Sequence, residues 1–242
     1  MTGIRAVLFD LDDTLFAHRA AAADGIVAHA RSLGEPYAVA DAAAEAAEWH
    51  RLEEHHYHRY LAGDIGFDEQ RWHRAREYAA RHGVPLTDDD APVWWAGYFE
   101  RYVESWRLHE DAVPCLDELE RGIRGVAFGI ITNGELDFQL RKIDATGIRA
   151  RFATIVASGD VGVTKPDARI FELACERLGV QPQEAAYVGD RLGTDAIGAA
   201  RAGLTGIWID RYDAEVSDEE RSMAAELGVV RITGLAELPP LL

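Results

Sequence analysis

The chain has 242 residues, 42 of them Asp or Glu against 25 Lys or Arg, for a formal net charge of −17. So acidic a surface is unsuited to a nucleic-acid backbone or an anionic membrane, and no apolar run approaches the roughly 18 residues of a membrane span. An anionic substrate would have to be held by a few local cations and a metal, not by the overall field. The length suits a compact core carrying an inserted second unit.

The first element is the most informative. Ala6-Val7-Leu8-Phe9 runs into Asp10-Leu11-Asp12-Asp13-Thr14. A fully apolar run of this length fits a central strand of a parallel sheet, and the acids then fall just past its carboxyl end, where open α/β sheets bind ligands. Asp10 and Asp12, two residues apart, are placed to face one crevice and share a cation, since like charges packed so closely need compensation.

From about Ala20 to Trp106 the pattern turns helical. Helices are predicted over 20–33, 40–61, 67–82 and 90–106, broken by Gly34-Glu35-Pro36, Gly63 to Gly66 and Gly83-Val84-Pro85, with Thr87-Asp88-Asp89-Asp90 capping the last. The second carries Trp49-His50-Arg51-Leu52-Glu53-Glu54-His55-His56-Tyr57-His58. His50, Glu54 and His58 share a face, but the spacing matches no zinc motif, so a solvated face with i, i+4 pairs is expected there. Trp94, Trp95 and Trp106 read as core of this block, while Trp49, His56 and Arg59 are candidates to face a substrate.

Beyond Pro114 short apolar runs alternate with amphipathic segments. Strands are predicted over 126–131, 152–157, 185–188 and 206–209, and helices over 136–146, 167–178 and 195–202, with Gly147, Gly179 and Gly203 as C-terminal stops. The expected fold is therefore α/β: a Rossmann-like parallel sheet in a three-layer α/β/α core, 1–16 with 108–242, interrupted by an all-helical four-helix cap domain, 17–107. Cys115 and Cys175 lie far apart and read as packed free thiols, and no secretory leader pattern opens the chain, so a cytoplasmic protein is expected.

Three more clusters fall where strands end: Thr132-Asn133-Gly134, Lys165-Pro166-Asp167, and Gly189-Asp190 through Asp195. Singly each is a turn signal; in this order, behind Asp10 and Asp12, they converge on one crevice. Together the four resemble the motifs of the haloacid dehalogenase superfamily, in its phosphatase branch with a helical (C1-type) cap. That resemblance implies a Mg²⁺-dependent phosphomonoester hydrolase acting on a small metabolite, such as a nucleoside monophosphate or sugar phosphate, through an aspartyl-phosphate.

It implies Asp10 as nucleophile and Asp12 as acid and base. Thr132, Asn133 and Lys165 would hold the phosphate, and Asp10, Asp12 (through its backbone carbonyl) and Asp190 the metal. Asp195 would orient a metal-bound water or Lys165. Asp13, where the family often has a small residue, reads as a loop residue or cap, and Asp160 as a loop acid. A phosphomutase or haloacid dehalogenase of the same fold, and a non-catalytic regulatory protein binding through the cap, are the alternatives. Family dehalogenases resemble one another in lacking the second aspartate of the first motif, and Asp12 favours phosphoryl transfer. The sequence sets no oligomeric state.

Overall fold

The structure is a computed structural model that describes residues 3–37 and 41–242. The chain forms two compact units, Met1–Ala17 with Leu108–Leu242, and His18–Arg107.

The first unit is built on a six-stranded, all-parallel sheet: β1 (Ala6–Phe9), β2 (Ala127–Thr132), β3 (Thr154–Ala157), β4 (Ala185–Gly189), β5 (Thr205–Ile209) and β6 (Val230–Ile232). Their order is β3-β2-β1-β4-β5-β6, which puts β1 in the centre with β2 and β4 on either side. Every residue of β1 is fully buried, as an unbroken apolar run with covered faces requires. Ala6 and Leu8 point into a core with Ile170, Phe171, Ala174 and Cys175. Phe9, of opposite parity, packs edge-on against Phe128 and Phe152 on the other face.

The helices of this unit are α5 (Ala112–Gly122), α6 (Leu136–Ala145), α7 (Ser158–Val161), α8 (Ala168–Leu178), α9 (Gly198–Arg201) and α10 (Asp218–Glu226). α1 to α4 belong to the other unit. Gly147, Gly179 and Gly203 follow α6, α8 and α9 with positive φ, the conformation of a helix stop. Three elements depart from expectation. Helix α5 runs straight through Pro114, β6 is an extra edge strand, and the predicted helix at 195–202 begins earlier, as a π-helical turn over Leu192–Ile197 that passes into α9. Asp160 lies in the short helix α7 rather than in a loop.

The second unit is four helices, α1 (His18–Leu33), α2 (Ala42–Leu61), α3 (Phe67–Arg81) and α4 (Asp90–Glu104). The predicted start of the second at Ala40 lies outside the described residues; Asp41 caps it, its Oδ1 accepting from the backbone N–H groups of Ala43 and Ala44. Thr87 Oγ1 accepts from the Asp90 N–H at 3.2 Å and so caps α4. Trp49, Tyr78, Trp94 and Tyr98 interlock at ring-centroid distances of 4.5 to 5.8 Å and form the core of the unit. Trp49 is therefore core, and so is His56, fully buried and joined to Glu77 at 3.0 Å, whereas on the face of His50, Glu54 and His58 the expected i, i+4 pair forms between Glu54 and an exposed His58 at 3.6 Å. Trp49 and His56, seven residues apart on one side of α2, turn inward because α3 packs there, Trp49 meeting Tyr78 and His56 stacking on His73. Among the described residues no helix is long and apolar enough to cross a membrane.

Candidate active site

All the motif residues lie in the first unit, on loops leaving the carboxyl ends of β1, β2 and β4 and on the segment before α8. Chain order reverses about β1, so its carboxyl end beside β4 is the place in an open α/β sheet where two loops part and leave a crevice. The Asp10 N–H donates to the Val188 carbonyl at 2.8 Å, which carries the ladder one residue past β1 and puts the Asp10 side chain at the sheet edge. Asp190 leaves the neighbouring strand one residue after Gly189.

Lys165 is the hub. Its Nζ is buried and lies 2.6 Å from Asp10 Oδ1, 2.7 Å from Asp195 Oδ1 and 2.9 Å from the Tyr187 hydroxyl. Tyr187 in turn donates to the Ile131 carbonyl at 3.1 Å, tying the ammonium cage to β2 and β4. The Lys165 backbone is gripped by Asn133, whose Oδ1 accepts from the Lys165 N–H at 2.8 Å and whose Nδ2 donates to the Lys165 carbonyl at 3.0 Å. The Asn133 side chain, expected on phosphate, is thus engaged with the lysine backbone.

Asp195 sits on the π-helical turn, and that wide turn brings its carboxylate back over the end of β4. Its Oδ2 accepts from the Arg191 N–H at 2.9 Å while Oδ1 meets Lys165. The closeness needs Gly189: a Cβ there would lie 2.5 Å from Asp195 Cβ. Asp13 takes a left-handed backbone, φ 58°, the conformation for which a residue with little or no side chain is best suited. That accounts for its reading as a loop residue.

Asp12 is half-buried and held by two groups of α6. Lys142 Nζ donates to both carboxylate oxygens, at 2.7 and 2.9 Å, and Gln139 Nε2 donates to Oδ2 at 2.9 Å. The same Nε2 donates to Thr132 Oγ1 at 2.6 Å. Neither Gln139 nor Lys142 was anticipated from sequence, and nor was Tyr187. The available signal was a helix beginning four residues after Thr132 with Gln139, Lys142 and Ile143 on one face, which buries two polar side chains beside an apolar one.

The electrostatics of this cluster are those of uncompensated acids. Burial pushes the Asp10 carboxyl up to about 7; Lys165 opposes the shift, while Asp195 and Asp12 reinforce it. Burial likewise raises Asp190 well above the carboxylate range, helped by the charges of Asp10, Asp195 and Asp13. Asp10 and Asp195 hold Lys165 protonated against its burial. Among the described residues no three His, Cys, Asp or Glu side chains gather as a metal-holding group. A cation here would rest on two carboxylates, a main-chain carbonyl and water. That oxygen-only, water-rich set is what Mg²⁺ accepts and what zinc or copper does not favour. The excess negative charge is of the sign a divalent ion removes.

The fold and this arrangement of acids around one lysine define a class, and comparison with known proteins agrees. The family model of the haloacid dehalogenase-like hydrolases matches residues 4–203, and the chain belongs to that family. It is 38% identical over 139 residues to the phosphoserine phosphatase of Thermus thermophilus, a match covering 57% of this chain and 55% of that one. It is 32% identical over 219 residues to the glyceraldehyde 3-phosphate phosphatase of Methanopyrus kandleri, covering 86% and 84%. The structure of the HAD-hydrolase YfnB from Bacillus subtilis, bound to magnesium, superposes with a TM-score of 0.77 over 99% of this chain and 98% of that one at 22% identity.

Proposed function

We propose that the protein is a Mg²⁺-dependent phosphatase of small phosphomonoesters that works through a phosphorylated Asp10. The observation that carries the reading is the Lys165 ammonium between Asp10 and Asp195, together with the Thr132–Gln139–Asp12 hydrogen-bonded chain.

Asp10 attacks phosphorus with its carboxylate, and its orientation is fixed because Lys165 grips Oδ1. As the ester P–O bond breaks, Asp12 gives a proton to the departing alkoxide oxygen. It then takes a proton from the water whose oxygen bonds to phosphorus as the Asp10–phosphoryl bond breaks, which returns the enzyme with inorganic phosphate. The Thr132 hydroxyl donates to a phosphoryl oxygen, and Lys165 offsets the combined charge of nucleophile and phosphate. Asp10, the Asp12 carbonyl and Asp190 would hold Mg²⁺, which supplies charge neutralisation of the transferring phosphoryl group. Asp195 fixes Lys165. Relatives named for phosphoserine and for glyceraldehyde 3-phosphate support a small, polar substrate. The presence of Asp12 favours phosphoryl transfer over attack on carbon, because a halide leaving group needs no proton.

The test is the hydrolysis of p-nitrophenyl phosphate and of a panel of metabolite phosphates in Mg²⁺, with Asp10→Asn alongside. Loss of all turnover in a variant that melts as the wild type does is expected. Full turnover by that variant would show that Asp10 is not the nucleophile.

A further inference from the structure

Helix α6 spends its inward face on groups a stable fold would not choose. Gln139 and Lys142, one turn apart, are 3% and 2% exposed. The Lys142 ammonium lies over the rings of Phe138 and Phe16, at 4.6 and 5.1 Å from their centroids. Replacing a buried ion pair by apolar side chains of similar volume is commonly neutral or stabilising, so stability alone does not explain a lysine in this position. Nor does it explain Gln139, whose Oε1 is buried without a partner while its amide nitrogen serves both Asp12 and Thr132. The reverse amide orientation would set Oε1 against the Asp12 carboxylate, so the nitrogen belongs where it is. Room for the amide is made by Gly134, where a Cβ would lie 2.8 Å from Gln139 Nε2.

We infer that Gln139 and Lys142 are positioning residues for the two proton transfers. Lys142, touching both oxygens of Asp12, holds that carboxylate in one rotamer. Gln139 bonds it to Thr132 and, by donating to Oγ1, leaves the Thr132 hydroxyl hydrogen to turn toward a phosphoryl oxygen. The acid–base group and the phosphate-binding hydroxyl are thereby set at a fixed separation by one helix. The inference rests on the phosphoryl-transfer reading above.

The test exploits leaving groups. p-Nitrophenolate departs without a proton, whereas the alkoxide of glycerol phosphate requires one, and hydrolysis of the phosphorylated enzyme requires Asp12 for both esters. Wild type, Asp12→Asn, Lys142→Met, Gln139→Leu and Gly134→Ala are compared on both esters in Mg²⁺ by rapid mixing. For the last three variants the expected result is a fall on the order of 10²-fold on the alkyl ester, the lower range for general acid–base catalysis. On the aryl ester a burst of about one equivalent of nitrophenolate should precede slow turnover, as in Asp12→Asn. Lys142→Arg, which keeps a cation on Asp12, should recover part of the alkyl-ester rate. An equal fall on both esters with no burst, or no fall on either, overturns the inference while leaving the phosphatase reading intact. A wild-type chain that hydrolyses neither ester overturns both.

Discussion

Removing the ammonium of Lys165 is the sharpest perturbation of the cluster. Two carboxylate oxygens, one from Asp10 and one from Asp195, lie at 2.6 and 2.7 Å from the same Nζ, so they are necessarily close to each other. In Lys165→Met they face one another with no charge between them. At a pH high enough to ionise both, above the value of about 7 that Asp10 has even beside Lys165, and at an effective dielectric of about 20, two unit charges about 5 Å apart repel by roughly 3 kcal/mol, in line with the ~3–5 kcal/mol cost of removing one partner from a buried pair. A loss of that size in the Mg²⁺-free protein corresponds to a fall in Tm of about 6–12 °C. Turnover should fall further, by about 10²- to 10³-fold, because the same charge is withdrawn from the transition state. Calorimetry with and without EDTA and steady-state hydrolysis of p-nitrophenyl phosphate measure the two effects. A variant with wild-type turnover, or with an unchanged Tm in EDTA, would refute the account of Lys165 as the counter-charge of this site.

Three further outcomes are expected. Mg²⁺ at about a hundred times its dissociation constant should stabilise the wild type by about 2.7 kcal/mol, and Asp190→Asn should lose that thermal shift; an undiminished shift would place the ion elsewhere. His29 is buried, and burial, with Arg101 adding to it, lowers its pKa to about 4. The unfolded chain therefore takes up a proton near pH 6.5 that the folded one refuses. The His29 contribution is complete above 6.5 and declines as pH falls toward 4, and ring-proton NMR should find its midpoint near 4. Burial would raise the Asp111 carboxyl, but bonds from Arg211 at 2.8 and 3.0 Å and from the Leu235 N–H at 2.8 Å outweigh it and hold the group below its usual range. Its contribution is present above about pH 4 and lost as pH falls through the lower folded value, so Asp111→Asn should flatten the acid limb of a Tm–pH curve.

Much of this architecture was legible because the sheet is parallel and doubly covered. β1, β2, β4 and β5 each appear as an apolar run ending in polar residues, and such runs announce both the strand and the edge where chemistry collects. What escaped did so for physical reasons. β6 is a three-residue edge strand with Arg231 in its middle and carries no apolar run. No helix was predicted around Pro114, yet as the third residue of α5 it falls in the first turn, where a missing N–H leaves no bond unmade. The π-helical turn is set by the return of Asp195 to Lys165, a tertiary demand that local pattern does not encode. Lys142 drew no reading because charged side chains on helices usually face solvent, and His56 was a candidate for the substrate side of its helix. Both are buried where a carboxylate waits, Asp12 for one and Glu77 for the other.

The central place of β1 also bears on how the chain acquires its shape during synthesis. Ala6 pairs with Ala127 on one side and with Ala185 on the other, so β1 has no sheet partner until the whole helical unit has been made. The helical unit, whose partners are near in sequence, can close meanwhile, while the apolar N-terminal segment waits for its neighbours. A nascent chain arrested before β4 would carry that segment with one edge bare. Ribosome-bound lengths ending before β2, which leave both edges of β1 bare, are accordingly where a holdase chaperone would find its strongest grip on this protein.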